Sequence, residues 1–116
     1  MNEKLKQIEH DAELLKMLGD KTRLKIYALL NSRELCVCAM TSLLDISQPA
    51  ISQHLRKMKL FNIVNERKEG QWVFYSIRIP NDDEYMLKAI IENLPDISDL
   101  IQTIEIEKKR CFIRCN

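Results

Sequence analysis

The stretch Thr41 to Val64, TSLLDISQPAISQHLRKMKLFNIV, constrains this chain more than any other part of it. Asp45-Ile46-Ser47 interrupts a helical pattern with a tight turn. Asp tolerates the left-handed backbone such a turn needs, and the Ser47 hydroxyl is suited to capping the helix that follows. Pro49 then falls in the first turn of that helix, where a missing N–H costs little. Ile51, Leu55 and Met58 recur at helical spacing and predict a buried stripe. The remaining faces carry Gln48, Ser52, Gln53, His54, Arg56, Lys57 and Lys59. Amides, hydroxyls and cations on one exposed helix suit the base edges and phosphates of a major groove. Charge alone would fit the solvated face of any core helix. The turn, the helix and the hairpin after it together favour a helix-turn-helix that reads DNA.

The hairpin starts with a strand expected over Phe61 to Arg67. A turn at Lys68-Glu69-Gly70-Gln71 follows, in which Gly70 supplies a positive φ, and a second strand runs from Trp72 to Ile77. Placed directly after a recognition helix, such a hairpin is a wing, and Arg67 and Lys68 at its tip are positioned for phosphates. Upstream, residues 3–18 predict a helix with an apolar stripe of Leu5, Ile8, Ala12, Leu15 and Leu18, ended by Gly19. Asp20 caps a second helix whose Leu24, Ala28, Leu29 and Leu30 face inward. Arg23 near its start reads as a structural ion pair. A third helix begins near Cys36 or Cys38. Downstream, Asn81 or Asp82 caps a last helical region with apolar positions Tyr85, Leu87, Ile90, Ile91 and Leu94. Pro95 breaks it, and Ile97, Leu100, Ile101, Ile104 and Ile106 continue the pattern.

The expected fold is mostly α with a β-hairpin wing, in the order α-α-α-α-β-β-α(α). It is one winged helix-turn-helix domain over residues 1–116, with residues 107–116 as a Cys-containing tail. The chain has 116 residues, enough for one domain with a modest core. So small a domain cannot bury both terminal helices in itself, so residues 5–18 and 85–106 are expected to pack against a twofold-related copy. No apolar run has the length of a membrane span, and the N-terminus lacks the layout of a signal peptide, which points to the cytoplasm. The net charge of +1 says little, but its distribution says more. From Ser47 to Ile79 cations exceed anions by four; from Asn81 to Glu107 anions exceed cations by seven. One segment is built to meet an anion and the other to avoid it. Two glycines leave no room for a phosphate-cradling loop, and no catalytic constellation stands out, so an enzyme is not expected.

The four cysteines form two close pairs, Cys36/Cys38 and Cys111/Cys115. In a cytosolic chain that spacing suggests metal or redox chemistry more than structural disulfides. At i and i+2 on a regular helix, two side chains lie about 200° apart and cannot share one ligand atom. Cys36 and Cys38 must therefore sit at the frayed start of the third helix, or ligand binding must unwind it. Cys111 and Cys115, at i and i+4, share a face of any helix that extends so far. Lys108, Lys109, Arg110 and Arg114 around them favour thiolates. The tail pair stands as a source of a further sulfur, as a separate site, or as a basic tail without a ligand role.

The order LGDKTRLKIYALL, ELCVCAM, LLDISQPAISQHLRKMKLFNIV and RKEGQWVFYSI resembles the ArsR/SmtB family of winged-helix metalloregulators over residues 12 to about 79. The ELCVC segment resembles its arsenic-responsive ArsR repressor branch. The resemblance implies a homodimer that binds operator DNA and represses, and that is released when a metalloid binds. The inducer it implies is As(III), with Sb(III) beside it, a centre that prefers three thiolates: Cys36 and Cys38 match the branch's motif, and Cys111 and Cys115 are the candidates for a further sulfur. Many members of that branch read Cys-x-Cys-x-x-Cys, whereas the third position here is Thr41. The Asp/His site that zinc-responsive members carry on the last helix has no counterpart, since the only histidines are His10 and His54. DNA contacts are assigned to Ser47, Gln48, Ala50, Ser52, Gln53, His54, Arg56 and Lys57, with Arg67 and Lys68 on the wing. Three other readings are kept: a Cd(II)/Pb(II)-responsive repressor using all four Cys, which suits a tetrahedral sulfur site; a thiol redox sensor switched by a disulfide; and a winged helix that binds protein.

Overall fold

The computed structural model describes residues 2–102, and the chain over that span folds around α4 (Gln48–Leu60). In order, the elements are α1 (Glu3–Leu18), α2 (Lys21–Ser32), β1 (Leu35–Cys36), α3 (Val37–Leu44), α4, β2 (Val64–Glu69), β3 (Trp72–Ile77), a 3-10 turn (Asn81–Asp83) and α5 (Glu84–Asn93). Residues 98–102 form a further helical turn. Residue 1 and residues 103–116 lie outside the described part. Among the described residues no helix is long and apolar enough to cross a membrane.

Local chemistry sets each boundary. The Asp20 carboxylate accepts the amides of Thr22 and Arg23, both at 3.0 Å, and so starts α2. Asp45 takes the left-handed conformation, φ 52 and ψ 48, and ends α3. Two residues on, Ser47 Oγ accepts the Ala50 amide at 3.4 Å and Pro49 lies in the first turn of α4. Helix α4 ends in a Schellman motif: the Asn62 amide reaches Lys59 O at 2.9 Å and the Ile63 amide reaches Met58 O at 3.2 Å, with Asn62 at φ 61. That motif displaces the first wing strand, which begins at Val64 and not at Phe61. The wing is also tighter than expected. Glu69 pairs with Trp72, so only Gly70 and Gln71 form the turn, with Gly70 at φ 63 as the first central residue of a type II′ hairpin. Gly19, by contrast, ends α1 with ordinary right-handed backbone, φ −71.

A third strand was not anticipated. Leu35 and Cys36 pair with Tyr75 and Phe74 of β3, giving an antiparallel sheet in the order β1-β3-β2. Cross-strand partners share a face of a sheet. Cys36, Phe74 and Arg67 are therefore on one side, and Leu35, Tyr75 and Glu66 on the other.

The core is made by Leu14, Met17 and Leu18 of α1, Ile26, Tyr27, Leu29 and Leu30 of α2, Met40, the expected Ile51, Leu55 and Met58 of α4, Ile63, and Leu87 of α5. The stripe read on α1 is mostly not in it. Leu5, Ile8 and Leu15 are 50%, 61% and 46% exposed, and Ala12 is exposed too. Helix α1 turns its Leu14–Met17–Leu18 edge inward instead. In α2, Leu24 and Ala28 are half-buried while Ile26 and Tyr27 are fully buried. No side chain caps α5; Asp83 is instead buried and bonded to His10 Nε2 at 2.5 Å.

The Asp20 cap carries a pH-dependent share of stability. The amide of Arg23 bonds the Asp20 carboxylate and holds its pKa below the usual value. A group depressed on folding contributes above its unfolded pKa, and that contribution fades as pH falls through the folded value. Asp20→Ala is expected to cost about 0.5–2 kcal/mol at neutral pH. Urea midpoints should show that gap at pH 7 and a narrower one near pH 3; an equal gap at both would place the effect elsewhere.

Candidate nucleic-acid interface and thiol site

Helix α4 turns Ile51, Leu55 and Met58 into the core, none of them exposed to solvent. That fixes its outer face. Ser47, Gln48, Gln53, Arg56 and Lys57 are exposed, and Ala50 and Ser52 are half-buried at its margin. His54 is more constrained than a free contact. Its Nδ1 lies 3.2 Å from Arg23 Nη1 and 3.8 Å from Asp20 Oδ2. Arg23 also donates from Nε to Met17 O at 2.7 Å, so its side chain is held by a main-chain carbonyl and an imidazole where the sequence suggested an ion pair. Together these bonds fasten the middle of α4 to the α1–α2 junction. Lys57 Nζ sits 5.8 Å from the centroid of the Phe61 ring.

The wing is braced to the same helix. Glu66 Oε1 accepts Lys59 Nζ at 3.1 Å and Glu66 Oε2 accepts the Tyr75 hydroxyl at 2.6 Å. These donors hold the Glu66 carboxyl below its usual range; burial and the bond to Glu66 push the Tyr75 hydroxyl up. At the root of the hairpin, the Arg78 amide bonds Ile63 O at 2.9 Å. Lys68 is exposed at the tip. Arg67 is exposed too, but its guanidinium is bonded to Glu34 and Glu69.

The start of α3 is where the thiols lie. Cys36 is the extended N-cap of α3, at φ −79 and ψ 160, and its sulfur accepts the Ala39 amide at 3.3 Å. Cys38 lies in the first turn, and the Thr41 hydroxyl donates to its carbonyl at 2.7 Å. Because Cys36 has strand backbone and Cys38 helical backbone, the 200° separation of a regular helix does not apply. Both line one cleft of about 370 Å³, together with Val37, Thr41, Gln48, Gln71, Trp72 and Val73. The cleft thus touches the first residue of α4 and the tip of the wing at once. Cys36 is a buried free thiol, and Cys38 is half-buried and in a disulfide. Among the described residues no three His, Cys, Asp or Glu side chains stand close enough to hold a metal ion. Cys111 and Cys115 lie outside the described residues.

Of the residues singled out from the sequence, Ser47, Gln48, Ala50, Ser52, Gln53, Arg56 and Lys57 fall on one connected face, and Cys36 and Cys38 share one cleft. Gln71 and Trp72 were missed as neighbours of the thiols, and Glu34 as the partner of Arg67. Alternation along β3 does place Trp72 beside Phe74, whose rings stack at 5.9 Å. The two residues of β1 are too few to show any period.

A family model described as "Bacterial regulatory protein, arsR family" matches residues 20–66. The chain is 38% identical over 82 residues to the arsenic resistance transcriptional regulator ArsR1 of Pseudomonas putida, covering 68% of this chain and 64% of that protein's length. It is 46% identical over 81 residues to the arsenical resistance operon repressor of Escherichia coli, covering 69% of this chain and 68% of that one. A cadmium resistance CadC homolog of Staphylococcus aureus is 42% identical over 82 residues, 70% of this chain and 64% of its own. Among solved structures, reduced HlyU from Vibrio cholerae aligns with a TM-score of 0.68 at 34% identity, over 78% of this chain and 94% of that one. The homodimeric winged helix-turn-helix DNA-binding domain Mb0332 of Mycobacterium bovis aligns at 0.63 and 26% identity, over 79% and 83%. These are transcriptional regulators and not enzymes.

Proposed function

Because this chain belongs to the ArsR family of bacterial regulatory proteins, we propose that it is a homodimeric, cytoplasmic repressor of a metal or arsenical resistance operon, released from operator DNA by As(III), with Sb(III) as a second inducer. The observation that carries this reading is the cleft in which Cys36 and Cys38 meet Gln48 of the recognition helix and Gln71 and Trp72 of the wing. As(III) is soft and thiophilic. In the reduced protein each thiol that binds As(OH)3 displaces one hydroxyl, and the thiol proton leaves with it as water. Cys36 and Cys38 supply two sulfurs; Cys111 or Cys115, from the same chain or its copy, supplies the third.

Cys36 is at once the last residue of β1 and the cap of α3. A ligand on its sulfur competes with the Ala39 amide and pulls on the pairing with Phe74. Helix α3 leads through the Asp45 turn into α4, so the disturbance reaches the reading helix. In a dimer, two such helices must match half-sites one helical turn apart, about 34–36 Å. A small tilt in each protomer spoils that spacing. Dimerisation is supported by the exposed apolar side chains Leu5, Ile8 and Leu15 on α1, Tyr85 on α5 and Leu100, which a second copy would cover. DNA contact is proposed for Ser47, Gln48, Ala50, Ser52, Gln53, Arg56 and Lys57, with Lys68 on the wing; His54 borders that face.

The disulfide at Cys38 favours one second reading, a repressor switched by thiol oxidation. Fluorescence anisotropy of the protein on its upstream DNA separates the readings. The expected result is release of the reduced, dimeric protein by As(III). Release by Cd(II) or Pb(II) alone would move the assignment to a four-thiolate site, and release by oxidant without metal would move it to redox. A single-chain mass in sedimentation at micromolar concentration would remove the dimer.

A further inference from the structure

The structure assigns Arg67 to a positioning role between the thiol cleft and the wing, and not to a phosphate contact. Each nitrogen of the guanidinium donates to a carboxylate of the protein. Its Nε and Nη2 donate to the two oxygens of Glu34 at 3.1 and 2.7 Å, a bidentate fork, and its Nη1 donates to Glu69 at 2.6 Å. The same group lies 4.6 Å from the centroid of the Phe74 ring, within range of a cation–π contact. Two carboxylates on one guanidinium leave that site with a net negative charge, which a DNA phosphate would be repelled by. Arg67 in turn holds the Glu34 carboxyl below its usual range.

Where the fork is anchored gives it a purpose. Glu34 immediately precedes β1 and stands two residues before Cys36. Phe74 is the ladder partner of both Cys36 and Arg67. Strand β1 has only two residues and two ladder pairs, too little to hold a strand alone. The fork spans β3 and ties the end of β1 to β2, so the three strands are clamped across their common face. A ligand that draws Cys36 away from Phe74 must drag Glu34 and, with it, Arg67 and the wing. This step rests on the reading of Cys36 as an inducer ligand; the clamping of β1 by Arg67 does not.

The test uses the reduced 116-residue chain and the variants Glu34→Gln, Arg67→Ala and the charge swap Glu34→Arg/Arg67→Glu. Cys36 is only 7% exposed, so its rate of alkylation by iodoacetamide reports how readily β1 and the cleft beside it open. Peptide mass resolves that cysteine from the others. Both single variants should label Cys36 about 2–5-fold faster than wild type, and the swap, which keeps the pair but sets a second carboxylate beside Glu69, should recover part of the difference. The salt dependence of DNA binding should be unchanged in Arg67→Ala, while Arg56→Ala lowers the slope by about one. The ratio of DNA affinities without and with As(III) should shrink in both single variants. Unchanged Cys36 labelling together with a lower salt slope in Arg67→Ala would overturn the assignment and return Arg67 to the phosphates. If wild type is not released by As(III), the inducer reading fails, and labelling and slope still decide the place of Arg67.

Discussion

Cys36→Ser is expected to hold its operator in the presence of As(III) at concentrations that strip the wild type from it. Allosteric coupling of this kind is typically worth about 1–3 kcal/mol, or about 5–150-fold in affinity. That whole factor should fall to about one, because a hydroxyl does not bind the soft metalloid. The inducer-free variant should still bind DNA. Serine is well suited to the cap position that Cys36 occupies, where the acceptor needed is an oxygen or sulfur for the Ala39 amide. The loss is therefore of response and not of fold. Anisotropy titrations with and without As(III) read both quantities from one sample. A variant released as readily as wild type would remove Cys36 from the ligands.

The second large effect is on stability. Leu55 has no exposed surface and lies on the inward face of α4 between Ile51 and Met58. Leu55→Ala should cost about 2–5 kcal/mol, the transfer free energy of the lost atoms plus the cavity they leave. Against a total of about 5–15 kcal/mol for a domain of this kind, that is a large share. The urea midpoint should fall with an unchanged slope. DNA binding should weaken in step with the unfolded fraction, because Leu55 orients the outer face of the helix without touching a ligand. A loss below about 1 kcal/mol would mean that the site collapses around the smaller side chain.

Much of this fold was legible because its signals are local. The left-handed Asp45, the Ser47 cap and the Ile51–Leu55–Met58 stripe are each set by a few neighbouring residues, and all appear as read. The β3 strand appears at its expected bounds. What failed to show depended on partners far along the chain. Strand β1 exists only because β3 offers it an edge about forty residues later. The inward edge of α1 could not be told from its apolar outer face, since both recur at helical spacing and only packing chooses between them. The i and i+2 spacing of Cys36 and Cys38 offered two arrangements for a shared ligand, a frayed helix start or an unwound one, and Cys36 stands at the helix start as an extended cap. That the pair opens towards Gln48 and Trp72 is a tertiary fact. Arg67 is another such case: as a cation at a wing tip it reads as a DNA contact, and the ground for the positioning role proposed above includes a partner, Glu34, that lies 33 residues away in sequence.

The bracing of α4 to the wing has a consequence for what induction can change. Lys59, Glu66 and Tyr75 join the helix to both strands, and the Arg78 amide closes the root of the hairpin on Ile63. The helix and the wing of one protomer therefore travel as a single reading head. A tilt moves that head as a unit and leaves the arrangement of side chains over any one half-site intact. On the proposed function, release by the inducer would then cost grip and not the preference among base sequences, so the protein would return to the same site, with no relearning of its target, once the inducer is gone.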